Sequence, residues 1–118
     1  ARTSQPVGGN TGTTLGQQRL IAFQYAADQW ASRINSSVPI KVGATFSALS
    51  CNANSAVLGS AGPTSFMRDF TNAPRASTYY TYAQANALAG SDLDTGNNDI
   101  TAQFNGNIGQ SNCLSGLS

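Results

Sequence analysis

Thr14-Leu15-Gly16-Gln17-Gln18-Arg19-Leu20-Ile21-Ala22-Phe23-Gln24-Tyr25-Ala26-Ala27-Asp28-Gln29-Trp30-Ala31-Ser32-Arg33-Ile34 carries the strongest periodicity in the chain. Leu20, Phe23, Ala27, Trp30 and Ile34 recur at steps of three and four, which puts them on one stripe of an α-helix. Arg19, Gln24, Asp28 and Arg33 point elsewhere. Thr14 and Gln17 have the spacing of a capping box, in which each side chain satisfies the other's orphan backbone N–H. A helix is therefore expected over Leu15–Ile34. Its aromatic stripe reads as core-facing, because such stripes pack far more often than they bind. Upstream, residues 1–13 are rich in Gly, Thr, Ser and Pro and read as a flexible polar arm. Residues 14–118 then make a single globular domain, a length that suits one core.

Beyond the helix, Ile40, Val42, Ala44, Phe46 and Ala48 alternate within residues 38–49, as in a strand with one apolar face. Pro39 belongs at its start or on an edge. Asn35-Ser36-Ser37 ends the helix and forms an N-x-S glycosylation sequon. Residues 50–65 read as a long excursion of small residues around Cys51. Ser65 to Phe70 is a short apolar patch of undetermined type, and Ala76 to Tyr80 reads as a strand. Tyr82 to Ala89 reads as a short helix with Gly90 as its C-terminal cap. Ser91 to Asn98 is a polar turn, Asp99 to Asn105 alternates as a strand, and residues 106–118 are loop. Helix and strand are mixed, so the class is α/β or α+β: a long N-terminal helix packed on a small twisted mixed sheet.

Composition excludes several functions. Charged residues are only 9% of the chain, against roughly 25% in ordinary soluble domains. The net charge is +1, with six basic and five acidic side chains, so counterion release could drive little nucleic-acid binding. No apolar run approaches the roughly 20 residues of a membrane span. Ala1 to Pro6 contains no apolar signal core, so a leader is expected to have been removed or to lie upstream. Cys51 and Cys113 form no C-x-x-C pair. One long-range disulfide is the simplest reading and would imply an oxidising compartment; two buried free thiols are the alternative.

The chain has no His, which removes imidazole-based nucleophile systems and zinc sites. Asp94-Thr95-Gly96 matches the aspartic-protease tripeptide, but Ser91-Asp92 before it and Asn97-Asn98 after it are polar, so it reads as a turn. Asp92, Asp94, Asn97 and Asp99 are hard oxygen donors clustered on a Gly-containing turn and are the candidate calcium ligands, although the terminal Glu of an EF-hand is missing. The alternative is a solvated turn held by side-chain-to-backbone hydrogen bonds. Lys41, the sole lysine, reads as a solvent-facing strand residue rather than half of a Ser-Lys dyad. Asp28 and Asp69 are not placed as a glycosidase carboxylate pair, and Arg68-Asp69 reads as a local polar contact.

A further series runs in order along the chain. Ala22 to Trp30 leads into Ser36-Ser37-Val38-Pro39-Ile40-Lys41-Val42. Ala56 to Thr64, Arg68-Asp69-Phe70, Ala87 to Asp94 and Asn98 to Asn105 follow. Over residues 15–118 this series resembles the N-terminal part of secreted bacterial zincin-type zinc metallopeptidases, some of which carry a protease-associated domain. The resemblance implies a helix-on-sheet subdomain that supports a downstream His-Glu-x-x-His helix and floors a substrate cleft. It also implies a Cys51–Cys113 disulfide and a secreted, extracellular location. With no His and no Glu in the chain, neither zinc ligands nor a general base can be assigned, so the catalytic set here is empty and zinc would belong to a longer parent. The implied partner is the remainder of a peptidase chain. The competing expectation is an extracellular structural or adhesive domain that self-associates, including a filament subunit whose arm adds to a neighbour's sheet.

Overall fold

The capping box at Thr14 forms. The Thr14 hydroxyl accepts from the Gln17 backbone N–H at 3.2 Å, and Gln17 Oε1 accepts from the Thr14 N–H at 3.2 Å. It opens helix α1, Leu15–Ala31, in the computed structural model, which describes residues 8–114. The helix stops short of the expected Ile34. Ser32 caps it and turns its hydroxyl back to the Gln29 carbonyl at 2.8 Å, a local bond that competes with helix propagation.

No residue of α1 is buried. Leu20 and Trp30 are 68% and 66% exposed, whereas Phe23 of the same stripe is half-buried. Asn10 Nδ2 donates to the Gln18 carbonyl at 2.8 Å, and Gln18 Nε2 donates to the Gly12 carbonyl at 3.0 Å. A Cβ on Gly12 would come within 2.6 Å of the Gln18 backbone nitrogen, so only glycine fits this approach. Residues 10–13 are thus tied to the first turn of α1, while residues 1–7 of the expected arm lie outside the described residues. The chain divides into two compact units, residues 1–36 and 37–118.

The second unit holds β1 (Val42–Ser47), β2 (Gly59–Pro63), β3 (Phe66–Met67), β4 (Tyr80–Thr81), α2 (Tyr82–Ala89) and β5 (Ile100–Asn105). The fold class is α+β. One sheet has the order β1-β5-β2, with β1 parallel and β2 antiparallel to the central β5. Its register pairs Val42 with Ile100, Ala44 with Ala102 and Phe46 with Phe104. On the other side, Pro63, Ala61 and Gly59 meet the same three β5 residues. One face is therefore wholly apolar, centred on Ala102 at 4% exposure, with the Phe46 and Phe104 rings 5.4 Å apart. The other face carries Thr45, Thr101, Gln103 and Ser60.

Strand β2 lies inside the segment that reads as an excursion. Its residues are too small to show alternation, and Gly59 is required because a Cβ there would sit 2.7 Å from the Gln103 carbonyl oxygen. Strand β1 is shorter than residues 38–49, and Pro39 falls outside it. The apolar patch at Ser65 to Phe70 supplies β3, which pairs with β4 in a separate two-stranded sheet. The strand expected over Ala76 to Tyr80 is reduced to Tyr80–Thr81, because Ser77 adopts a φ of 56° and cannot be extended. Helix α2 matches expectation: Thr81 and Gln84 form its capping box, and Gly90 closes it in the left-handed region.

Cys51 and Cys113 are joined, with Cα atoms 5.2 Å apart and a sequence separation of 62. Beside the bridge, the buried Asn105 donates from Nδ2 to the carbonyls of Leu49 and Val57 at 3.3 and 3.0 Å, tying β5 to the loop around Cys51.

Candidate functional site

Four titratable side chains, Lys41, Asp92, Asp94 and Asp99, converge at the turn between α2 and β5. Three carboxylates, one ammonium and one amide meet there. Asn86, on α2, is 2% exposed and is the largest fully buried side chain among the described residues. Its Oδ1 accepts from the Leu93 N–H at 2.9 Å. Its Nδ2 donates to Asp94 Oδ1 at 3.1 Å and to Asp99 Oδ1 at 2.9 Å, which uses both amide hydrogens. Asp99, at the entry to β5, is also 2% exposed, and its Oδ2 accepts from the Lys41 N–H at 2.7 Å. The Lys41 carbonyl in turn accepts from the N–H groups of Asp99 and Ile100 at 2.9 and 3.1 Å.

The ammonium of Lys41 reaches into the turn. It donates to Asp92 Oδ2 at 2.5 Å and to the Thr95 carbonyl at 3.0 Å. Asp92 Oδ1 accepts from the Asp94 N–H at 3.0 Å. The hydrogen bond from Lys41, helped by that backbone N–H, holds the Asp92 carboxyl below the usual range. The same bond raises Lys41 above the usual lysine value. Burial pushes the Asp94 carboxyl up, and the negative charges of Asp92 and Asp99 add to the effect, against the favourable bond from Asn86.

Three of the four candidate calcium ligands, Asp92, Asp94 and Asp99, are thus brought together around Asn86 and Lys41. Asn97 is exposed and enters through its backbone N–H, which donates to the Asp94 carbonyl at 2.8 Å. Among the described residues, no group of three or more His, Cys, Asp or Glu is arranged to hold a metal ion. The positive charge at this turn is Lys41, which lies just before β1 rather than in it and, with its side chain 41% exposed, pairs with Asp92. Lys41 and Asn86 are the members that sequence reasoning misses. An asparagine among Ala85, Ala87 and Leu88 on a short helix is the one signal that pointed to a buried hub.

The remaining candidates stay apart. Asp28 accepts from Gln24 Nε2 at 2.8 Å along α1. Asp69 lies 3.5 Å from Arg68 Nε and accepts from the Ser77 N–H at 2.7 Å, a local contact as the sequence indicates. Asp94-Thr95-Gly96 lies in the polar turn. Asn35 is exposed just beyond α1. No helix among the described residues is long and apolar enough to cross a membrane. No family model, curated protein or solved structure matches the chain.

Proposed function

We propose that this chain is a non-catalytic N-terminal portion of a secreted zinc metallopeptidase-like protein, acting as a scaffold for a zinc helix and substrate cleft supplied by further chain. The observation that carries this reading is the apolar face of the three-stranded sheet. Val42 and Phe46 remain 48% and 40% exposed on it, although every residue of β1, β5 and β2 facing that way is apolar or glycine. Apolar side chains left exposed on the edge strand β1 support packing against further chain. The absence of His and Glu supports a scaffold rather than a catalyst. The disulfide supports an extracellular location. The zinc of the parent would be held by side chains outside these 118 residues.

The test is the reading frame beyond Ser118. A His-Glu-x-x-His helix should follow, and the longer protein should cleave a denatured protein substrate and stop when zinc is chelated. The 118-residue chain alone should show no cleavage. A frame that ends at Ser118 sinks the proposal.

A second reading, a self-associating extracellular structural or adhesive domain, draws on α1. Leu20, Tyr25 and Trp30 are each about two-thirds exposed on this one helix. Light scattering over a range of concentrations distinguishes it: a monomer at every concentration removes this reading.

A further inference from the structure

The Cys51–Cys113 bridge is surrounded by hydrogen bonds that join the same two loops without it. The first loop, residues 48–57, follows β1 and folds on itself. Its Asn52 N–H donates to the Ser55 carbonyl at 2.8 Å, its Val57 N–H donates to the Ser50 carbonyl at 2.9 Å, and Cys51 pairs with Ala56 in an antiparallel bridge. The second loop, residues 106–114, follows β5. There the Cys113 N–H donates to the Gln110 carbonyl at 3.0 Å, and the Cys113 carbonyl accepts from the Gly109 N–H at 2.8 Å. Strands β1 and β5 are parallel neighbours, so both loops leave the sheet at the same end.

Asn105, the last residue of β5, is 5% exposed and reaches both loops. Its Nδ2 donates to the Leu49 and Val57 carbonyls, which flank Cys51, and lies 3.9 Å from Cys113 Sγ. Its Oδ1 accepts from the Asn107 N–H at 3.0 Å, and its backbone N–H donates to the Leu58 carbonyl at 2.9 Å. One more bond spans the loops, from the Leu114 N–H to the Asn52 carbonyl at 3.0 Å. Detaching the loops would strand a buried amide, and that cost is present with or without the covalent bond.

We infer that Asn105 is the positioning residue of this disulfide: it keeps the two cysteine loops docked through reduction, so that the thiols stay side by side in a folded chain and the bridge re-closes without unfolding. When a dithiol reduces the bridge, the S–S bond breaks and the reductant's two sulfurs join as its own disulfide. The two electrons pass to the protein's sulfurs, and two protons end on Cys51 Sγ and Cys113 Sγ. The inference is independent of the scaffold reading above.

The experiment equilibrates the full chain with mixtures of reduced and oxidised dithiothreitol, without denaturant, and counts free thiols by alkylation and mass. Asn105→Ala should shift the equilibrium toward the dithiol by about tenfold, the scale of one to two neutral hydrogen bonds. Thr81→Ala removes the cap of α2, which touches neither loop, and should leave the equilibrium where it is in the parent. In the reduced parent, amide exchange at Val57 and Asn105 should stay slow. The inference is overturned if Asn105→Ala keeps the parent's equilibrium, or if Thr81→Ala shifts it as far, since global stability would then set it. It is also overturned if the two amides of the reduced parent exchange at unfolded-chain rates. That last measurement uses no variant and decides the matter even where Asn105→Ala does not fold.

Discussion

Asn86 is the residue on which the turn depends most. Truncating Asn86→Ala strands the Leu93 N–H and removes donors from two carboxylates, all in a buried setting. A loss of about 3 kcal/mol in urea unfolding is expected, at the upper end for an unsatisfied buried group. The aspartates set the pH dependence with opposite signs. Asp94, raised in the folded state, contributes stability that is full below the ordinary Asp value and is lost as pH rises through its higher folded value. Asp92, lowered, contributes stability that is present above the ordinary value and is lost as pH falls through its folded value. Urea midpoints should therefore peak between the two folded values. Lys41→Met should bring the Asp92 carboxyl back toward the ordinary range, read by a carbon-13 carboxyl titration followed by NMR. The sequence shows the three aspartates as a cluster but not what holds them, because Lys41 is 51 residues from Asp92 along the chain.

Elements that depend on local chemistry are legible at the level of sequence. Both capping boxes and the left-handed Gly90 involve residues no more than four apart, so their geometry is fixed before any tertiary contact forms. Thr81→Ala should cost about 1 kcal/mol through loss of the N-cap of α2, measured by thermal unfolding. Strand β2 is the opposite case. Gly59-Ser60-Ala61-Gly62-Pro63 has no intrinsic strand signal and is a strand because β5 lies beside it. Gly59→Val should disrupt the β2–β5 pairing, since its Cβ would meet the Gln103 carbonyl, and should cost more than the same change at Gly62, where a Cβ meets nothing within 4 Å. Comparing the two variants by urea unfolding separates this clash from strand propensity.

Across the whole molecule, the disulfide offsets a small core. The buried apolar residues among those described are Val38, Ala85, Ala102 and Cys113. Closing a 62-residue separation reduces the entropy of the unfolded chain and is worth about 4 kcal/mol in the loop-entropy model. Replacing both Cys51 and Cys113 with Ala should lower stability by about that amount, read as the difference between urea curves of the two proteins. A loss under about 1 kcal/mol would mean that strain in the native state cancels the entropic gain.

The sequence by itself determined the start of α1 with its Thr14 cap, α2 with its Gly90 cap, the alternation of β1 and β5, and the exclusion of imidazole and glutamate chemistry from this chain. These follow from periodicity, from neighbours within a few residues, or from composition. Only the tertiary structure decided that β2 is a strand, that the Lys41 ammonium reaches Asp92 in the acidic turn, and that Asn86 connects α2 to the start of β5. Each of these depends on groups far apart in the chain, and spacing along a sequence carries no information about which distant donor reaches a given acceptor. The α1 stripe has the same origin. A period of three and four residues shows which side of a helix is apolar, whereas its exposure depends on what the rest of the chain places against it.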